Sequence, residues 1–259
     1  MAWERDLMGR DEIQNRKVLI TYPTHPMFLW AYLAVALILA VLFSRFPLYV
    51  AEASYSSNSL ELASIAIALI VLSPILSFIN LVIKKLNTGV IASEIELNYV
   101  EFFGIPIPIP RLRMREVKTL LAMNVGGALV PITTSAIFSY LLVNSPYKDM
   151  FVASAAIDVI VVAVVTYALS KPMPGVGIVV PAFIPPLIAA FVAIATSGFG
   201  VPAAAAAYIG GSLGSLLGAD VIRLSRSYRN LTATVLSIGG AGVFDGVFMS
   251  GVLAFLLAI

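Results

Sequence analysis

Three aspartates in or beside long apolar stretches are the residues with most chemistry to offer. Asp158 lies in "SAAIDVIVVAVV", Asp220 in "GSLLGADVIRLSR" and Asp245 in "SIGGAGVFDGVFMSG". An aspartate at the centre of a membrane helix costs ~2.5–3.5 kcal/mol on insertion scales, so such a residue is by default a functional-site candidate. Asp158 and Asp245 fall mid-stretch. Asp220 falls near the end of its stretch with Arg223 one turn later, a placement that suits a helix-end role. Two chemistries follow. A carboxylate in a central cavity can take a proton or a monovalent cation, as a transporter requires. Two facing carboxylates that share a proton can activate water, as an aspartyl protease requires, and the candidates for such a catalytic pair are Asp158, Asp220 and Asp245.

The residues around these carboxylates extend both readings. Ser154 is four residues before Asp158, so the two share a helical face. Asn124, with Thr133 and Thr134 further on, adds polar lining, and the expected ligand-binding set is Asp158, Asp245, Asn124 and Ser154. Gly239, Gly240 and Gly242 precede Asp245 and can unwind the backbone there. Pro181, in "KPMPGVGIVVPAFIPP", is a second break residue. An unwound turn would leave Asp245 at the start of a half-helix, where free N–H groups and the helix dipole favour negative charge. Burial favours the neutral acid. Such opposed influences suit a group that exchanges a proton or a cation, or else a cap that holds the break open.

The elements that must position these residues are membrane helices. The chain has 259 residues, of which 60% are hydrophobic and 12% charged, about half the charge of a soluble domain, and its mean hydropathy is +0.98. Several apolar runs reach the ~20 residues that cross a bilayer. Seven spans are expected, at about 27–44, 62–83, 119–143, 150–169, 179–197, 202–220 and 231–259. With the N-terminus in the cytoplasm, fourteen of the sixteen Lys and Arg residues fall on the inner side, leaving only Arg45 and Lys148 outside. That asymmetry obeys the positive-inside rule and puts the protein in the cell membrane, N-terminus inside and C-terminus outside.

The expected organisation is a cytoplasmic arm at 1–26, two helices within 27–83, a cytoplasmic segment at 84–118 and a five-helix core at 119–259. The segment 84–118 begins with a turn signal, Asn87-Thr88-Gly89, then alternates as a strand does. Pro106, Pro108 and Pro110 suit an edge strand. Arg111, Arg113, Arg115 and Lys118 either anchor the orientation or meet anionic headgroups. Within span six, Gly210, Gly214 and Gly218 line one face and invite close packing of another helix. The fold class expected is therefore an all-α integral membrane protein of about seven helices, several broken by Gly or Pro, with a small cytoplasmic β-like segment.

Other chemistry is excluded. There is no cysteine, so there are no disulfides or thiolate sites. The one histidine, His25, leaves little room for a zinc site, and no metal or cofactor is expected. No Gly-rich phosphate loop fits. The partners expected are the bilayer and a proton or monovalent cation, with self-association open and nucleic acid absent.

The motifs "NVGGALVP", "KPMPGVGIVVPAFIPPL", "GSLGSLLGAD" and "SIGGAGVFDGVFMSG" together resemble the prokaryotic membrane-protein family known as domain of unknown function 1614. The likeness covers roughly residues 105–259. It implies a multi-pass membrane protein and marks Asp158, Asp220 and Asp245 as motif positions without giving them a role. "GAGVFDGVF" has a fainter likeness to the Gly-x-Gly-Asp motif of presenilin-like proteases, but two extra residues precede the aspartate and the family's Pro-Ala-Leu motif is missing. Small-solute or ion transport is the leading expectation. An intramembrane aspartyl protease and a non-catalytic scaffold or lipid-interacting protein are the alternatives.

Overall fold

The structure, a computed structural model, describes residues 16–21, 26–48, 58–102, 105–173, 177–228, 231, 233, 235–240 and 246–259. Among these lie seven apolar helices: α1 (Pro26–Leu42), α2 (Ser59–Leu76), α3 (Val125–Val143), α4 (Lys148–Leu169), α5 (Ile184–Ser197), α6 (Val201–Ser227) and α7 (Gly246–Ala258). Four of them, α2, α3, α4 and α6, are long and apolar enough to cross a membrane. The other three are shorter than the ~20 residues, at 1.5 Å per residue, that a 30 Å hydrocarbon core asks for.

The prolines largely set where helices begin. Pro185, Pro186 and Pro202 each stand in the first turn of a helix, where the missing N–H costs nothing. Pro172 follows the end of α4, and the residue before a proline is pushed out of helical geometry. Gly198, with φ of 78°, stops α5. Pro181 lies exposed in the link before α5, not inside a helix.

The fold is mostly helical rather than all-α, because six strands accompany the helices. Strands β1 (Val18–Ile20), β2 (Ile79–Phe102), β3 (Ile105–Asn124) and β6 (Val235–Ile238) form one sheet in the order β1-β2-β3-β6, and β4 (Lys171–Met173) pairs with β5 (Gly177–Val179). The long β2–β3 hairpin is antiparallel, with Asn80 opposite Asn124 at its base and Phe102 opposite Ile105 at its tip. Strand β6 joins β3 in parallel, Leu120 opposite Val235.

These strands correct three expected spans. Residues 79–83, 119–124 and 235–238, expected within membrane helices, are strand. Each is a short, nearly continuous apolar run, and periodicity alone does not separate a buried strand from a buried helix.

Contacts fix the direction of each helix. The Tyr32 ring near the start of α1 packs 4.8 Å from that of Phe78, just past the end of α2. Ser73, near the end of α2, donates to the Gly126 carbonyl at the start of α3. Ser154, early in α4, bonds Thr196 at the end of α5. The Gly200 N–H, just before α6, donates to the Ala258 carbonyl at the end of α7 at 3.1 Å, and Gly251 of α7 packs on Ser212 of α6. Successive helices therefore run antiparallel, and the strands gather at one end of the bundle. At the other end Phe43, Phe46, Phe138 and Phe255 interlock, with Phe46 and Phe255 centred 4.3 Å apart.

Helix α6 is the axle. Of its span, 72% is buried, against 28% for α4, and its alanines Ala203 to Ala207 are all enclosed. Small side chains let neighbouring backbones approach without a bulky core, the usual solution where lipid supplies no hydrophobic drive.

Candidate functional site

Asp158 stands at the middle of α4 and is wholly enclosed, 0% exposed. Both of its carboxyl oxygens lack a hydrogen-bond partner. Its side chain lies against Gly210 of α6, and a Cβ built on that glycine would overlap the carboxyl group. One turn further along, Val162 seats on Gly214, and Gly218 meets the backbone of Ala163 and Tyr167. The glycine stripe of α6 is thus a groove that receives one face of α4, as its four-residue spacing predicts. The same stretch of α6 is widened into π turns over Gly210–Gly214 and Leu216–Arg223.

Ser154 shares that face of α4. Its hydroxyl bonds the Thr196 hydroxyl and lies 3.3 Å from that of Ser197. Thr196 and Ser197 are half-buried in the last turn of α5. Three hydroxyls therefore gather at this end of the bundle, one helical turn of α4 from Asp158 and not bonded to its carboxyl. On the far side of Val162 the next polar group is the buried Thr166.

The opposite face of α6 carries a second polar layer. Tyr208 is fully buried, its hydroxyl beside those of Thr134 and Ser212. Ser215 donates to Ser250 of α7 at 3.1 Å. Sequence reasoning finds Thr134 but misses Tyr208, because a tyrosine among alanines reads as packing.

Asn124 belongs to a different place, the junction of sheet and helices. It caps α3 by accepting the Gly127 N–H at 2.7 Å. Its amide donates to the Ser77 carbonyl at 2.6 Å and to Asn80 Oδ1 at 3.0 Å. Asn80 Oδ1 also accepts from Ser237 of β6, and its own amide donates to Thr21. Asn80, wholly buried in "FINLVI", is a residue that sequence reasoning misses, though an amide amid apolar residues is a legible signal. Every bond in this knot is made, which suits a structural clasp.

Asp220 joins the clasp. Its Oδ2 accepts the Gly239 N–H at 2.7 Å. Gly239 and Gly240 have φ of 80° and 84°, the left-handed region that favours glycine. A Cβ on Gly239 would meet the Gly127 and Ala128 backbone at 2.6 Å. Arg223 instead lies over the Tyr167 ring at 5.4 Å, while Arg226 lies 5.3 Å from the same ring and donates to the Tyr167 hydroxyl.

The expected site residues therefore divide. Asp158 and Ser154 stand together between α4, α5 and α6. Asn124, Asp220, Gly239 and Gly240 stand together at the sheet end. Because α4 and α6 run parallel with Asp158 level with Gly210, Asp220 lies ten residues of helix further along, beyond the contacts of Gly214 with Val162 and of Gly218 with Ala163 and Tyr167. These two aspartates do not form a facing pair. His25, Gly242 and Asp245 lie outside the described residues, as does most of the expected arm at 1–26. Among the described residues, no group of three or more acidic, histidine or cysteine side chains could hold a metal ion.

No curated protein and no solved structure matches the chain. A family model described as "Protein of unknown function (DUF1614)" matches residues 75–257. The match begins thirty residues earlier than the resemblance carried by the motifs, and so takes in the whole hairpin together with Asn80, Asn124, Asp158 and Asp220. The chain belongs to the DUF1614 family.

Proposed function

We propose that this protein is an ion or small-solute transporter of the cell membrane in which Asp158 carries the coupling proton or a monovalent cation. The observation that carries the reading is the Asp158 carboxyl, enclosed mid-helix with neither oxygen partnered. An ionisable group held there at a cost must do something that an apolar residue cannot. The π turns of α6 opposite it support the reading, since such turns gather at functional sites, and so do the hydroxyls gathered at Ser154.

In this reading all seven apolar helices cross the bilayer, the three short ones completed by the extended segments and loops that flank them. The sheet end, which carries Lys17, Lys84, Lys85, Lys118, Lys171, Arg223 and Arg226, is cytoplasmic. The hairpin is then a cytoplasmic appendage of the membrane core. The protease reading needs two facing carboxylates, and Asp158 and Asp220 do not supply them.

The test is flux. Purified protein in sealed vesicles is given a proton, a Na⁺ and a K⁺ gradient in turn. One gradient should dissipate faster than in empty vesicles, and Asp158→Asn should return that rate to the empty-vesicle level. Vesicles equally tight with and without protein for all three ions, or an Asp158→Asn variant as active as wild type, would remove the reading.

A further inference from the structure

We propose that the ion taken by Asp158 is a proton, and that it arrives through the Ser154 hydroxyl, which the hydroxyls of Thr196 and Ser197 both meet. The inference rests on the transport reading of Asp158 and names its ion and its route.

The first support is space. A bare metal cation must exchange its water shell for a shell of protein oxygens. At Asp158 the α6 side is closed by Gly210, whose missing Cβ is the only reason the carboxyl fits. No second carboxylate joins it from α6, since Asp220 is ten residues along that helix, past the seats of Val162 and Ala163 on Gly214 and Gly218. A proton needs one oxygen and no added volume.

The second support is the asymmetry of the surroundings along α4. Towards its N-terminus, Ser154 is one turn away and is bonded to Thr196. Thr196 and Ser197 lie in the last turn of α5, just before Gly198 ends it. The Ser197 and Thr196 hydroxyls each meet that of Ser154 while donating to α5 carbonyls. Because hydroxyls both donate and accept, Ser154 can regain from either of them the proton it gives up. Rotation of the Ser154 and Asp158 side chains carries that proton across one helical turn to the unpartnered carboxyl. One proton enters from water at Ser197 and one O–H bond forms at Asp158, while every hydroxyl ends as it began. Towards the C-terminus of α4 the chain of polar groups is interrupted, because Val162 presses on Gly214 before Thr166 is reached. The route is therefore open to the bundle end that bears Lys148 and sealed towards the sheet.

Infrared spectroscopy of the protein in lipid membranes tests this directly. Wild type should show a protonated-carboxyl band that Asp158→Asn lacks, and the band should shift promptly in D₂O. In Ser154→Ala, and in the milder Ser197→Ala and Thr196→Val, the shift should slow by a factor on the order of a hundred for the most affected variant. Thr166→Val, beyond the Val162 seal, should exchange as wild type does. A wild-type spectrum without that band overturns the proton assignment, while the transport reading survives if Na⁺ or K⁺ flux depends on Asp158. A band that exchanges equally fast in all the hydroxyl variants overturns the route. Flux that persists unchanged in Asp158→Asn removes the transport reading itself, whichever band is seen.

Discussion

Asp158 and Gly210 meet at a separation that only a glycine on α6 allows: the carboxyl group of one occupies the space where the Cβ of the other would stand. On the transport reading, function and packing are joined in that contact. The glycine is needed because the aspartate is there, and the aspartate is sealed because the glycine is.

Gly210→Ala should therefore destabilise the protein by about 1–3 kcal/mol, the usual cost of overpacking. In an Asp158→Ala background the same substitution should cost much less. Thermal unfolding of the four proteins in detergent gives the coupling. Independent, additive losses would mean that the two residues do not share the space.

Asp158→Ala by itself should leave the protein at least as stable as wild type. A central aspartate costs ~2.5–3.5 kcal/mol in a membrane helix, whereas a void of about methyl size costs ~1 kcal/mol. Relief of the buried carboxyl outweighs the void, and that decides the sign. A loss of stability greater than about 2 kcal/mol would instead reveal a structural role for the carboxyl, since breaking a buried charge–partner contact costs about that or more.

At the clasp the opposite sign is expected. Asn124→Ala removes the cap on α3 and strips donors from the Ser77 carbonyl, so it should cost about 1–3 kcal/mol. Asn124→Asp should cost at least as much. It keeps an acceptor for the Gly127 N–H but turns a carboxylate towards the Ser77 carbonyl and Asn80 Oδ1. Unfolding midpoints of the two variants check the order.

The contrast between these two sites shows what is legible in the sequence. Asp158 announces itself because a charge in an apolar run is conspicuous, and its packing against the glycine stripe follows from four-residue spacing. The strands of the hairpin show in the alternation of 84–118. But Asn87-Thr88-Gly89, expected as a turn, falls at an irregularity between Leu86 and Val90 inside β2, and the tip of the hairpin is at Phe102 and Ile105 instead. The clasp is hidden, because Asn80 and Ser237 sit in stretches whose apolar neighbours read as continuing helix. Asn124, Gly126 and Gly127 look like residues that weaken a helix. In fact Asn124 begins one, after a strand, as a capping asparagine does. What stays invisible is the pairing of β6 with β3, a contact between residues more than a hundred apart that no local pattern encodes.

The prolines of β3 give a prediction about association. Pro106, Pro108 and Pro110 stand opposite Glu101, Tyr99 and Leu97. They alternate, so their missing N–H groups all lie on one side, and the ladder with β2 survives only if that side is the outer edge. An edge without donors resists further strands. Replacing all three with threonine should restore the donors and raise the oligomer fraction seen by light scattering in detergent. An unchanged monomer fraction would mean that this edge needs no guard.

The parallel pairing of β6 with β3 also imposes a timetable on biogenesis. The hairpin is complete once residue 124 has been made, but its partner strand ends at residue 238. At ~5–20 residues per second, the ribosome needs roughly 6–23 s to deliver it. Throughout that interval the inner edge of β3 at Leu120–Met123, and the clasp side chains that await Ser237, stand without their partners. The nascent chain must therefore hold an unfinished sheet while the helices that follow are made, and that is the stage at which a holding chaperone or a stalled ribosome would matter most to this protein.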